Sequence, residues 1–387
     1  MTDLGNKHDY KQKALDRHKE LRGKLSVTPK DTVEDAEKLS VYYTPGVGAV
    51  STYVAEHPDE AKEYTGLNNT VAIVSDGSAV LGLGNLGPHG ALPVMEGKSM
   101  LFKQFAGIDG VPIVLDVHSA DEIVAAVKAI APSFGAINLE DIGAPICFEV
   151  EERLKEELNI PVMHDDQHGT AVVVLAGLIN AMKVVSKDLN DCKIVVSGVG
   201  AAGVAIMRLL NLYAPSLTIV ACDSKGVINV DRNDLNPTKQ LLLSEGIISS
   251  DASGSMSDAL VGADIFVGVS QPGVLTPEMI KTMQKDPVIF ALANPTPEVI
   301  PDIAREAGAA VVATGRSDFP NQVNNALAFP GIFRGALDNG VTQITDNHKI
   351  AAAEAIAAAV TSPVPEEVIP SIFTDSLSDL VSAVITS

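Results

Sequence analysis

The feature that most constrains the fold is a glycine turn between an expected strand and an expected helix. Lys193–Ser197 is a short apolar run that enters Gly198-Val199-Gly200-Ala201-Ala202-Gly203. In such a turn the first glycine permits the tight bend and the second lets backbone approach a pyrophosphate. The third lets helix and strand pack closely. The helix start adds free N–H groups and a partial positive charge. The pattern alone is a weak signal. Asp223 strengthens it: it lies 20 residues past Gly203 at the end of the next expected strand, where a carboxylate meets a ribose diol. A glycine turn needed only for packing is the lesser reading. The turn therefore points to a bound dinucleotide. Asp223 would repel a 2′-phosphate and favours NAD. Lys225 can neutralise such a phosphate or be a solvated loop lysine, so NADP stays open.

The rest of the chain alternates in the way such a turn requires. Strands are expected at 111–117, Ala136–Leu139, 160–163, Lys193–Ser197, 217–221, 264–269, 287–291 and 310–313, with helices in the gaps. Alternation implies right-handed βαβ crossovers and a mostly parallel sheet. The expected architecture is α/β: a C-terminal doubly wound parallel sheet of Rossmann type, plus an N-terminal α/β catalytic domain. The division falls near residue 160, giving 1–160 and 161–387. Before this, residues 10–21 read as a helix, and a second helix follows Thr32, its expected N-cap. Residues 70–75 and 79–83 read as a hairpin joined by Asp76-Gly77-Ser78. Helices are expected around 98–105, at Ala120–Ile130 and at 351–359.

Composition excludes several classes. With 387 residues, two or three domains are expected. A net charge of −21 disfavours nucleic acid and anionic membrane as partners. The three cysteines, Cys147, Cys192 and Cys222, form no CxxC pair and fit a reducing cytosol. The first residues lack the apolar core of a secretory signal. The apolar stretch 194–207 is too short and too rich in glycine to span a bilayer. A cytoplasmic enzyme is expected.

A second constellation is acidic. Glu140-Asp141 ends one expected strand and Asp165-Asp166 the next, with a crossover helix at 147–158 between them. A right-handed βαβ unit brings both strand ends to one sheet edge. Four converging carboxylates are costly without compensation. A hard divalent cation, Mg²⁺ or Mn²⁺, resolves this. Solvated loop acids are the alternative for either pair alone. His164 and His168 flank the second pair, but a zinc site at that spacing needs a helix, and this segment reads as a strand end and turn. Lys98, which enters a helix after a glycine-rich loop, can be a surface charge, a phosphate ligand or a base. A base requires nearby positive charge or burial to lower its pKa.

These blocks together resemble the malic enzymes, in particular the small bacterial type, over nearly the full chain. The matching blocks are Tyr43-Thr44-Pro45-Gly46-Val47, Leu81-Gly82-Leu83-Gly84-Asn85-Leu86-Gly87 and Pro93-Val94-Met95-Glu96-Gly97-Lys98. Further on come Asn138-Leu139-Glu140-Asp141, His164-Asp165-Asp166-Gln167-His168-Gly169-Thr170, the glycine turn, Ala293-Asn294-Pro295 and Gln322-Val323-Asn324-Asn325. The resemblance implies oxidation of L-malate at C2 and decarboxylation to pyruvate with reduction of NAD(P). It implies Tyr43 as general acid, Lys98 as general base and Asp165 as the lysine's partner. Glu140, Asp141 and Asp166 would be metal ligands, and Asn294 and Asn325 would face substrate and nicotinamide. Larger family members carry a substrate-gripping arginine where this chain has Ala79. A homodimer is expected, with the N-terminal arm as a candidate for exchange. The rival readings are an oxaloacetate decarboxylase that does not oxidise malate, an amino-acid dehydrogenase and a non-catalytic nucleotide sensor.

Overall fold

The structure is a computed structural model, and it describes residues 7–387. An N-terminal arm carries α1 (Lys7–Leu21), α2 (Ala36–Tyr42), α3 (Gly46–Glu56) and α4 (Ala61–Tyr64). Not one residue from 10 to 70 is buried. Next come β1 (Thr70–Ser75), α5 (Gly87–Ala106), β2 (Asp109–Val114), α6 (Ala120–Ile130), β3 (Ala136–Leu139), α7 (Ile146–Glu157) and β4 (Val162–His164). These strands form a parallel sheet in the order β2-β1-β3-β4.

The long helix α8 (Asp165–Val185) leads into the second half. There follow β5 (Lys193–Ser197), α9 (Ala201–Tyr213), β6 (Thr218–Asp223), β7 (Gly226–Val227), α10 (Pro237–Ser244) and α11 (Met256–Leu260). Then come β8 (Ile265–Gly268), α12 (Pro277–Lys281), β9 (Val288–Ala291), α13 (Pro301–Glu306) and β10 (Val311–Thr314). Helices α14 (Phe329–Asp338), α15 (Asp346–Ala358) and α16 (Leu377–Ser382) close the chain. The second sheet runs β10-β9-β8-β5-β6-β7, and only the two-residue β7 is antiparallel. The expected α/β architecture with a doubly wound parallel sheet is the one observed. β4 pairs with β3, so the first sheet continues past residue 160 to His164.

Parallel strands covered on both faces read as continuous apolar runs. Val71, Ala72, Ile73 and Val74 of β1 are all fully buried, as are Ile194, Val195 and Val196 of β5. One core cluster spans both sheets through α8, so the two halves share apolar packing. By length and composition α8 could cross a membrane, but two-thirds of its most apolar window is buried inside the fold. It is a core helix, with Asp165 and Asp166 in its first turn. Phe102 of α5 meets Phe329 and Phe333 of α14 edge-on, with centroids 4.6 and 5.4 Å apart. Each buried phenylalanine contributes roughly 1.5–3 kcal/mol of hydrophobic stabilisation. These contacts fix α5, and with it Lys98.

Three local expectations are corrected. The hairpin does not form: β1 takes β2 and β3 as parallel neighbours, and Val80–Gly82 is a single 3₁₀ turn. The loop is held instead by Asp141, whose carbonyl accepts from Ala79 N and whose carboxylate accepts from Leu81 N. The second helix is capped by Asp35, which accepts from Lys38 N, while Thr32 bonds to Glu34. The segment after His164 is the first turn of α8, not an irregular turn.

Candidate active site

The C-terminal ends of β1, β3 and β4 converge, as expected at the ligand edge of a parallel sheet. Lys98 is delivered to this edge by α5 and is only 7% exposed. Its ammonium donates to Asp165 Oδ2 and lies 2.8 Å from Glu140 Oε1. It also sits 4.3 Å from the centre of the Phe329 ring. Burial opposes the lysine's charge, but the carboxylates of Asp165, Glu140 and Asp166 outweigh it and hold its pKa above the ordinary value. The spacing of the four acids named no cation for them; the resemblance implied Lys98 as the partner of Asp165, and the fold brings the two together.

Asp165 receives a second donor, the amide of Asn325, from the segment beyond β10. Gly169, one turn later in α8, makes room for it: a Cβ there would lie 2.0 Å from Asp165 Oδ1. Asp141 N donates to Asp166 Oδ2 at 2.7 Å, and Asn138 donates to Glu140 Oε2 at 3.0 Å. Burial and then the Asp166 charge push Glu140 well above its ordinary pKa, and push Asp141 up to about 7. Asp141 Oδ2 and Asp165 Oδ1 are buried without a hydrogen-bond partner. Lys98, Glu140, Asp141, Asp165, Asp166 and Asn325 are thus brought together.

These acids present only oxygen donors, two of their oxygens are orphaned, and burial disfavours the charge of Glu140, Asp141 and Asp165. That donor set fits a hard divalent cation. Among the described residues no three acid, histidine or thiol groups are already disposed about one point. Glu140 faces Lys98 and Asp166 faces the Asp141 amide, so side-chain turns would be needed. His164 is fully buried, and His168 Nε2 pairs with Glu151 Oε2 at 2.8 Å. Both histidines are structural neighbours of the acids.

Tyr43 is not part of this constellation within the chain. It caps α2 at its C-terminus, is 67% exposed, and its hydroxyl bonds to no described residue.

The glycine turn has the form its sequence requires. Gly198 has φ +108°, and a Cβ there would lie 2.5 Å from Val269 O. A Cβ on Gly203 would lie 2.0 Å from Gly198 O, whereas Gly200 faces open space. Val199 and Ala202 pack on the shared core, and Ala201 packs on the core beneath the first sheet. Asn294 follows β9 in an exposed loop; a Cβ on Gly82 would lie 3.5 Å from its carbonyl oxygen. The glycine loop of the first half therefore meets the loop after β9 of the second.

Two polar arrangements in the second half were not legible in the sequence. Glu298 is fully buried and accepts from Ser270 N and Ala293 N, tying the loops after β8 and β9. At the end of β6, Arg232 and Lys239 pair with Asp223, while Lys225 pairs with Asp234. No spacing rule marks a cation 9 or 16 residues past Asp223.

Fold and site together define a two-sheet nicotinamide-dinucleotide enzyme with a buried lysine–carboxylate centre. Residues 22–155 match the family described as Malic enzyme, N-terminal domain, and residues 167–385 match Malic enzyme, NAD binding domain. The chain is 54% identical over 351 residues to a Bifunctional malic/malolactic enzyme of Bacillus subtilis, covering 90% of this chain and 85% of that one. It is 48% identical to an NADP-dependent malic enzyme of Halomonas elongata, covering 95% and 87%. The crystal structure of an NAD-dependent malic enzyme from Thermotoga maritima superposes with a TM-score of 0.93 at 50% identity, covering 97% and 99%. The chain belongs to the malic enzyme family.

Proposed function

We propose that this chain oxidatively decarboxylates L-malate to pyruvate and CO₂, passing the C2 hydride to NAD(P). We place it in the cytoplasm as a homodimer that uses Mg²⁺ or Mn²⁺. The observation that carries the reading is the buried Lys98, shared between Asp165 and Glu140 and closed over by Asn325. A dehydrogenation of a hydroxy acid needs a base at the C2 hydroxyl, and Lys98 is the buried group in position to serve.

Glu140, Asp141 and Asp166 would hold the cation. When bound, it would polarise the C2 oxygen and offset the acid charge that keeps the proton on Lys98. Asp165 orients Lys98 and accepts its proton's hydrogen bond. Asn325 keeps Asp165 turned toward the lysine, and Asn294 lines the nicotinamide side. Losing CO₂ then leaves an enol at C2–C3, which needs a proton at C3, the role of Tyr43.

Tyr43 reaches a site only if the arm that carries it docks elsewhere. That arm exposes Val27, Val41, Tyr42, Tyr43, Val47 and Val50. So apolar a stretch with nothing buried calls for a partner surface. A second copy of the chain is the partner we assign, its arm bringing Tyr43 to the neighbouring site.

The test mixes protein, L-malate and Mn²⁺ with NAD or NADP and follows nicotinamide reduction, with a chelator control. Reduction that needs the metal supports the reading. No reduction with either cofactor overturns it. Oxaloacetate loss without any malate oxidation would point to a simple decarboxylase.

A further inference from the structure

We propose that the cavity enclosed by α7, α8, α9 and α15 is a binding site for a short-chain aliphatic carboxylate, with Lys349 and Arg208 as its anion donors. The site is separate from the acid edge and does not depend on the reaction assigned above. None of Lys98, Glu140, Asp141, Asp165, Asp166 and Asn325 lines it.

Close-packed interiors leave few voids larger than a water molecule. This cavity measures about 110 Å³, several times what one water needs. Its wall is mainly apolar: Phe148 of α7, Ala171 of α8, and Val204, Ala205 and Leu209 of α9. Two of these are alanines, whose short side chains leave the room. An apolar wall gives water few partners and suits a hydrocarbon body. The volume suits a chain of about three to five carbons.

The polar lining selects the head group. Lys349 on α15 is only 4% exposed, yet among the described residues its ammonium donates to one atom, Asp346 Oδ1 at 2.8 Å. An ammonium has three N–H donors, so two have no protein partner. A buried charge short of partners is costly. Burial, and then the Lys155 charge, hold the Lys349 pKa below its ordinary value. Arg208 of α9, half-exposed at the mouth, pairs with Glu245 through Nη2 at 2.8 Å and has further N–H groups to give. Gln167 and His168 turn their Nε2 atoms to Glu151 Oε2, and the Glu151 charge is met by Lys155 at 2.6 Å. Asp346, the lining acid, has an exposed side chain, so solvent screens its charge. The donors left for an occupant are therefore cationic, and a carboxylate is the head group they call for. Such an occupant rests on Gln167 and His168, in the helix that opens with Asp165 and Asp166.

The test is a ligand-observed NMR titration of the full chain with butyrate. It is repeated with butan-1-ol, and with butyrate in the presence of Mg²⁺ and saturating L-malate. The wild type should bind butyrate at least about tenfold more tightly than butan-1-ol, as a charge-assisted contact requires. Malate should not displace it. Lys349→Met keeps the apolar stem, removes the ammonium and should abolish that preference. Ala205→Leu should fill the cavity and prevent binding of both probes, with the fold retained by Tm. Absence of butyrate binding to the wild type overturns the proposal. So do displacement by malate, an unchanged butyrate preference in Lys349→Met, and an unchanged butyrate affinity in Ala205→Leu. Should Lys349→Met fail to fold, Arg208→Gln at the more exposed mouth makes the same test.

Discussion

Asn325 and Asp165 stand 160 residues apart in the chain, and the amide of the first donates to the carboxylate of the second. Asp165 opens α8 beside the first sheet, while Asn325 follows β10 of the second. The bond therefore joins the acid edge to the dinucleotide half at a carboxylate that also holds Lys98. A hydride donor on one side and an acceptor on the other require that the halves be registered in this way.

The first prediction concerns Lys98. Lys98→Ala should lower kcat for malate oxidation by about 10²- to 10⁴-fold, the usual contribution of a positioned acid–base group. Asn325→Ala should cost less, about tenfold, because Asp165 keeps the lysine. NADH binding, read by fluorescence, should survive both. A Lys98→Ala enzyme with near wild-type kcat would remove the lysine from the chemistry.

Tyr43 offers a test of the dimer. Neither Tyr43→Phe nor Lys98→Ala should be active alone. If Tyr43 serves the neighbouring site, a mixed dimer of the two variants regains one intact site of the two, about half the wild-type activity. If Tyr43 serves its own chain, every site in the mixed dimer lacks one group and no activity returns. The measurement is malate-dependent nicotinamide reduction after co-expression and purification through two tags.

What was legible followed from burial. Strands covered on both faces, such as β1 and β5, read as apolar runs, and their alternation with helices implied the sheets. Helix α5 was largely hidden because Gly90, Pro93 and Gly97 interrupt it; its packing through Phe102 on Phe329 and Phe333 overrides those residues. The Asp76-Gly77-Ser78 segment has hairpin chemistry, yet Ser78 donates to Asp76 and accepts from Gly143 N, making it a loop at the acid edge. Spacing at the strand ends marked the acids, whereas Lys98 and Asn325 were marked only by the resemblance to the malic enzymes. The sequence could not mark the partners of Asp223, which come from the loop after β7 and from α10, nor that Tyr43 would lie exposed in the N-terminal arm, away from the acids.

The Asp223 cluster also sets a pH dependence. Burial would raise this acid, but the hydrogen bonds from Arg232, Lys239 and the Lys225 amide prevail and lower it from 3.8 to about 2. A folded-state pKa below the unfolded value stabilises fully above the unfolded value and is lost as pH falls through the folded one. The stabilisation should therefore be present at neutral pH and fade from about pH 4 toward about pH 2. Thermal melts of wild type and Asp223→Asn should show a Tm gap that narrows on acidification over that range. A gap that widens there would contradict the assigned pairing.

Glu151 provides the last prediction. This buried carboxylate lies on α7 and accepts from the backbone N–H of His164 at 3.1 Å. It also pairs with Lys155 at 2.6 Å and with His168 at 2.8 Å. Burial alone would raise its pKa, but the His168 and Lys155 charges hold it well below the ordinary value. One side chain thus grips both sides of the β4–α8 junction, and that junction carries Asp165 and Asp166. Glu151→Gln keeps the shape and one acceptor but removes the charge, leaving Lys155 without its counter-ion and weakening the hydrogen bond with His168 Nε2. Removing one partner of a buried pair costs a few kcal/mol, so Tm should fall. If the effect were on folding alone, the surviving folded enzyme would need no more Mn²⁺ than the wild type. Because the junction sets where Asp166 points, half-maximal activity should instead require several-fold more Mn²⁺, with NADH binding retained. An unchanged Mn²⁺ requirement would confine Glu151 to stability and detach it from the site.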